Sequence, residues 1–184
     1  MPNTFVCADP HLGHKGVCVF TTADGSKVRP WDSAEEMDEA IIDNWNKTVR
    51  PNDKVYVLGD VVINRKALPT VGRLNGDKVL IKGNHDIFRI NEYLTYFRDI
   101  RAYQVWTKDK IIMSHIQVHP DQLEKRWRYN VHGHTHTNHV KLPDGTRDTR
   151  YICVSMEQIN FTPISYDELK KLYVTPEICE VNPG

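Results

Sequence analysis

The chain has 184 residues, 40% hydrophobic and 26% charged, the size and balance of one globular domain spanning 1–184 that buries its core without staples. No apolar run approaches the ~20 residues that span a bilayer, and the N-terminus, MPNTFVCADPHLGH, lacks the basic and long apolar regions of a secretion leader, so no membrane association and a cytoplasmic location are expected. Lysine plus arginine (24) equals aspartate plus glutamate (24), which removes the net positive charge behind non-specific nucleic-acid binding without excluding nucleic acid as a substrate.

Phe5 to Ala8 is an apolar run broken by Asp9-Pro10-His11, the pattern of a buried strand entering a loop. A helix is expected from Ser33, with Glu36 as capping-box partner and Met37, Ile41, Trp45 and Val49 at helical spacing, until Pro51 stops it. Lys54 to Leu58 and Asp77 to Ile81 read as strands that end in Gly59-Asp60 and Gly83-Asn84-His85-Asp86. Between them Arg65 to Leu74 is a weaker helix, interrupted by Pro69 and Gly72. A helix over Asn91 to Phe97 follows, then a hairpin of Ala102 to Trp106 with Lys110 to Ser114, which ends at His115. Asp121 to Trp127 reads as a short helix, and Tyr129 to Val131 as a strand feeding His132-Gly133-His134-Thr135-His136. A Pro-Asp-Gly turn between His139 to Leu142 and Thr149 to Ser155 predicts another hairpin, and Ser165 with Glu168 opens the last helix. Alternating strands and helices followed by more strands give an α/β layered domain, in which ligands gather beyond the carboxyl ends of strands.

The four cysteines, Cys7, Cys18, Cys153 and Cys179, have neither CxxC spacing nor the density of a disulfide scaffold and read as reduced thiols, with Cys7 and Cys153 in the core. Nine histidines are present, several beside Asp, Asn and Gly at strand ends. Asp9-x-His11, Gly59-Asp60, Gly83-Asn84-His85-Asp86, His115 and Gly133-His134-x-His136 bring carboxylates, an amide and imidazoles to one edge. Such donors are costly to bury together unless a cation sits among them. Alternation along a strand would point His134 and His136 the same way. His132 and His134 have the same spacing, so spacing alone leaves the choice of pair open.

Together these blocks resemble the calcineurin-like metallophosphoesterases, whose pattern is D-x-H, G-D, G-N-H-D/E, a lone H and G-H-x-H. All five are present from Asp9 to His136, and DPHLGH with HGHTH in so short a chain looks like the compact single-domain members of bacteria and their phages. GDVVINR and GNHD depart from the GDxVDRG and GNHE of the Ser/Thr protein phosphatase branch. The resemblance implies a four-layer α/β/β/α sandwich carrying two divalent ions ~3.5–4 Å apart. Asp9, His11 and His136 would hold one ion and Asn84, His115 and His134 the other, with Asp60 bridging. A bridging hydroxide would attack phosphorus in line, and His85 would face the phosphoryl group without binding metal. Asp86 would orient the His85 imidazole, its alternative being a helix cap.

A donor set without thiolates suits Mn, Fe, Ni, Co or Zn, and the resemblance favours Mn²⁺. His14 could touch a phosphate or sit hydrogen-bonded in its loop, and His132 could support the site; both are candidate substrate contacts. His119 and His139, with Arg65, Arg126 and Arg128, read as ordinary surface groups. Little chain remains for a cap domain, so an open site acting on a small or nucleotide-like phosphodiester is expected, with a phosphomonoesterase as the alternative. A non-catalytic scaffold would not need a complete ligand set and His85. Oligomeric state is not legible in the sequence.

Overall fold

Strand alternation divides the apolar residues between two cores. The structure, a computed structural model, describes residues 2–22 and 24–173. In β1 (Thr4–Cys7), β2 (Lys54–Val57) and β3 (Asp77–Ile81), Phe5, Cys7, Val55, Val57 and Leu80 face one way, while Val6, Tyr56, Val79 and Ile81 face the other. That is the period of two that a strand imposes. The first face packs on helix α1 (Ala34–Thr48) through Met37, Ile41 and Trp45. Ser33 caps α1 by accepting the Glu36 N–H at 3.1 Å. Glu36 binds the Asp32 N–H instead of returning to Ser33, so only half of the expected capping box forms.

These strands, with β4 (Asp99–Arg101) and β9 (Ile164–Ser165), make a five-stranded sheet in the order β4-β3-β2-β1-β9, parallel except at β9. A second sheet has the order β5-β6-β7-β8, from β5 (Gln104–Trp106), β6 (Ile111–Ser114), β7 (Tyr129–His132) and β8 (Tyr151–Cys153). Ile111, Met113, Val131 and Ile152 meet the inner face of the first sheet. The outer face of the second sheet, with Ile112 and Tyr151, is covered by Leu123 of α3 (Gln122–Lys125) and by Trp127. The layers are helix, sheet, sheet, helix, the expected α/β/β/α arrangement. Helix α4 (Tyr166–Lys171) starts at a full capping box between Ser165 and Glu168 and places Leu169 in the inner core.

Several elements differ from the expected ones for identifiable reasons. Arg65–Arg73 is a 3-10 segment, capped by Asn64 and carrying Pro69, which has no N–H to give an α-helix. The helix expected over Asn91 to Phe97 is a single turn, α2 (Ile90–Tyr93), before the chain enters β4. The hairpin of β5 with β6 forms, but Lys110 is left-handed and lies outside β6. The second expected hairpin reduces to one bridge between Lys141 and Arg147, and β8 pairs parallel to β7. Cys7, Cys18 and Cys153 are buried free thiols, and Cys179 lies outside the described residues. No helix among the described residues is long and apolar enough to cross a membrane.

Candidate metal centre

Because β1, β2 and β3 run parallel, as do β6 and β7, their carboxyl ends share one edge of the two sheets. The sheets meet there through the Ala8 N–H on Val154 O at 2.8 Å and the Met156 N–H on Ala8 O at 3.0 Å. The loops after β1 and β2 are then zipped together: Asp9, His11 and Leu12 donate their amides to the carbonyls of Gly59, Asp60 and Val61. This pairing sets Asp9 and His11 beside Asp60. Gly59 is left-handed, at φ +82°, and a Cβ there would lie 2.6 Å from His115 Nδ1. A Cβ on Gly83 would fall on Asp60 Oδ1, so the glycines of these two motifs make room for the His115 and Asp60 side chains that pack against them.

Two clusters result, Asp9 with His11 and His136, and Asp60 with His115 and His134. Each cluster takes residues from both sheets. Asp60 also reaches the first cluster, its Oδ2 standing 3.7 Å from His11 Nε2 and 3.4 Å from His115 Nε2. Asn84 Oδ1 lies 2.8 Å from His115 Nε2, beside the second cluster. His115 Nδ1 is 2.8 Å from Leu58 O, a partner that fixes the ring with Nε2 toward the site.

Asp9, His11, Asp60, His134 and His136 all have left-handed backbones, with φ between 49° and 70°. Asp and His enter this region more readily than most residues, at a cost of roughly 1–2 kcal/mol each. His134 and His136 therefore converge through a left-handed loop after β7 and not through strand alternation, and they serve different clusters.

The polar bookkeeping fits a cation. Asp9 Oδ2 accepts from Ser155 Oγ at 2.6 Å and the His134 N–H at 2.9 Å, but buried Asp9 Oδ1 and both ring nitrogens of His11 have no partner. With Asp9 Oδ1 3.9 Å from His11 Nε2, such unpartnered buried atoms are what a divalent ion would satisfy. Burial pushes the Asp9 carboxyl up to about 6, against the charges of His136 and His115. Burial also raises Asp60, but the hydrogen bond and charge of His115 outweigh it and hold that carboxyl below its ordinary range. Burial lowers His11, while His115 is raised because its contacts with Asp60 and Asp9 overcome its desolvation.

His85 stands apart from both clusters. Its side chain is 49% exposed, with Nε2 4.0 Å from Asp60 Oδ2 and its ring centroid 5.8 Å from that of His11. Asp86 does not orient it: the carboxylate is fully buried and accepts the N–H groups of Asp60, Val61 and Gly83 at 2.8–3.0 Å. It ties the β2 and β3 loops together, which corrects the sequence expectation. Nor does it cap a helix, since α2 begins at Ile90. His14 lies at the rim, its ring centroid 5.5 Å from that of His11. His132 is 1% exposed, so it has no surface to offer a substrate; burial pulls it down to about 4.

Two residues were not singled out in the sequence. Glu157 Oε1 lies 3.0 Å from His136 Nδ1 and accepts from Arg29 Nε at 2.8 Å. The Arg29 guanidinium, fully buried, also donates to the Asp9 and Pro10 carbonyls. Arginine and glutamate stand 128 positions apart, and neither belongs to a local motif.

A model described as calcineurin-like phosphoesterase matches residues 3–144, a span holding every predicted site residue but not Ser155 or Glu157. The uncharacterized protein MJ1445 of Methanocaldococcus jannaschii is 32% identical over 186 residues, covering 94% of this chain and 92% of that protein. The Gene 66 protein of Mycobacterium phage L5 is 32% identical over 91 residues, 47% of this chain and 41% of that protein. The crystal structure of a protein of unknown function, AQ665 from Aquifex aeolicus, has the same fold, with a TM-score of 0.63 at 23% identity over 94% of this chain and 100% of that one. With the matched span reaching from β1 past both histidines of the Gly133-His134-x-His136 loop, the chain belongs to the calcineurin-like phosphoesterase family.

Proposed function

We propose that the chain is a phosphoester hydrolase working with two divalent ions, and that it acts as a phosphodiesterase on a small or nucleotide-like substrate. The observation that carries this reading is Asp60 Oδ2, one carboxylate oxygen within 3.7 Å of His11 and 3.4 Å of His115 and so common to both clusters. Asp9, His11 and His136 would hold one ion, Asn84, His115 and His134 the other, with Asp60 between them. Ions so held supply Lewis-acid charge for the phosphoryl oxygens and a nucleophile at neutral pH. Mn²⁺ is our assignment, in keeping with nitrogen and oxygen donors and no thiolate.

His85, over Asp60 and open to solvent, is placed to give a proton to the leaving oxygen or to bind the charge that develops on the phosphoryl group. Asp86 and the β1–β2 loop pairing keep that edge in place. The exposure of His85, Asn84 and His134 leaves the site open, which admits a phosphorus carrying two ester groups. That openness favours a diesterase over a monoesterase.

The test is hydrolysis of bis-p-nitrophenyl phosphate and p-nitrophenyl phosphate by metal-stripped protein, with and without added Mn²⁺. Mn²⁺-dependent cleavage with the diester preferred is the expected result. A monoester preference would reassign it as a phosphatase, and no turnover with any first-row metal despite two bound ions would overturn the enzyme reading.

A further inference from the structure

A cleft of about 620 Å³ opens directly beside the first cluster, with His134, His136 and Glu157 in its floor. One wall is formed by Val17, Phe20, Thr21, Thr22 and Val28, held together by the Thr22 N–H on Ser26 O and the Val28 N–H on Phe20 O, both at 2.9 Å. The opposite wall is the loop after His134, carrying Thr135, Thr137 and Asn138. Phe20 is 53% exposed, so its ring is open to contact from the cleft it lines. Its ring stands edge-on to His14 at 6.2 Å, and His14 in turn lies 5.5 Å from His11, so the exposed ring belongs to the rim of the candidate metal centre.

The chemistry of the lining restricts what fits. Val28 and Phe20 offer apolar surface and one aromatic face, while the threonine hydroxyls and the Asn138 amide offer neutral hydrogen bonds. Among the described residues no lysine or arginine lines the cleft, and the carboxylate that does, Glu157, is already paired with Arg29. Beyond the metal edge, a second phosphate or a polyanionic chain would meet no lysine or arginine, whereas a flat, neutral group with hydrogen-bonding edges would match both the ring and the hydroxyls.

Building on the phosphodiesterase reading above, we propose that this cleft is the subsite for the ester group retained on phosphorus, that this group is a neutral nucleoside or a like heteroaromatic, and that Phe20 is the residue that selects it by stacking.

Two measurements test this. Calorimetric binding of thymidine 5′-monophosphate is compared with that of methyl phosphate, with and without Mn²⁺, for the native chain and Phe20→Ala. The nucleotide is expected to bind about tenfold more tightly than methyl phosphate, the scale of one base stacked on one aromatic ring, and Phe20→Ala should remove most of that ratio. The same ratio should appear in kcat/KM for the p-nitrophenyl ester of thymidine 5′-phosphate against methyl p-nitrophenyl phosphate. Equal binding of the two phosphates by the native chain, or a preference untouched in Phe20→Ala, would overturn the subsite. A binding preference without turnover of either ester would leave the subsite standing and overturn the hydrolase reading instead.

Discussion

Glu157 Oε1 is shared between His136 Nδ1 at 3.0 Å and Arg29 Nε at 2.8 Å, which couples a candidate metal ligand to a guanidinium that has no contact with solvent. Burial raises the Glu157 carboxyl, but the hydrogen bond from His136 and the charge of Arg29 outweigh it and bring it down to about 2. A carboxylate on the far nitrogen fixes the imidazole's orientation and makes its free nitrogen a better donor, and losing such a partner typically weakens a metal by about 10–100-fold. Glu157→Gln is therefore expected to weaken one of two Mn²⁺ equivalents by at least about tenfold while leaving the other in place. Calorimetric titration of the metal-stripped variant reads this directly, and two unchanged affinities would show that Glu157 only packs.

Arg29 has a separate structural role. It holds the Asp9 and Pro10 carbonyls in the left-handed turn and balances Glu157 where water does not reach. Removing one member of a buried pair leaves an uncompensated charge, at a cost of about 3–5 kcal/mol, whereas replacing both with apolar groups recovers much of it. Arg29→Met should lower the urea midpoint accordingly, and Arg29→Met with Glu157→Leu should be more stable than Arg29→Met alone. Equal stability of the single and double variants would mean that the charge pairing is unimportant.

Most of the site is legible because each block follows a short apolar run of strand length, which puts Asp9, Asp60, Asn84, His115 and His134 at one sheet edge. What was hidden depended on contacts distant in sequence or on backbone angles. Glu157 is an isolated acid in a short 3-10 turn, and nothing near it signals a partner 128 positions away. Asp86 adjoins His85 in sequence, but the turn sends the two side chains apart, one into the core and one to solvent. The left-handed turns of His134 and His136 carry no hydropathy signal. Strand β4 is hidden for a different reason: Asp99, Ile100 and Arg101 make only three residues with one apolar side chain, too short for alternation to mark a strand.

His85 belongs to neither cluster and is about half exposed, so its loss should not disturb metal binding or the fold. For His85→Ala a fall in kcat of about 10²–10⁴-fold is expected, the usual contribution of a positioned proton donor, with metal content by elemental analysis unchanged. A loss of bound metal matching the loss of rate would move His85 into the ligand set.

At the opposite end of the strands, buried Asp53 accepts the Asn3 N–H at 2.7 Å and the Arg50 N–H at 2.9 Å. Burial acts to raise its carboxyl, but these amides outweigh it and hold it below its ordinary value. Because the folded value is depressed, its contribution is fully present above the ordinary carboxylate pKa of about 3.9 and is lost as pH falls through the folded value. Asp53→Ala should cost about 2–3 kcal/mol at pH 7, from two amides left without partners. Urea unfolding at pH 7 and near pH 2 should show that difference shrinking in acid, and a gap constant with pH would assign the loss to packing alone.

Each cluster takes side chains from both sheets, Asp9 of the first with His136 of the second and Asp60 of the first with His115 of the second. An ion bound there would favour the state in which the sheets are docked, since the unfolded chain offers no such arrangement. At a concentration of 100 times the dissociation constant, one ion adds about 2.7 kcal/mol, or roughly 5–10 °C in the midpoint for a chain of this length. Metal-stripped protein should therefore gain at least that much on titration with Mn²⁺. Asp60→Ala should abolish most of the gain, because it removes a group next to both clusters, whereas His136→Ala should remove only the share of one. A midpoint insensitive to Mn²⁺, or a gain that survives in Asp60→Ala, would mean that the two clusters do not act as a joint metal centre.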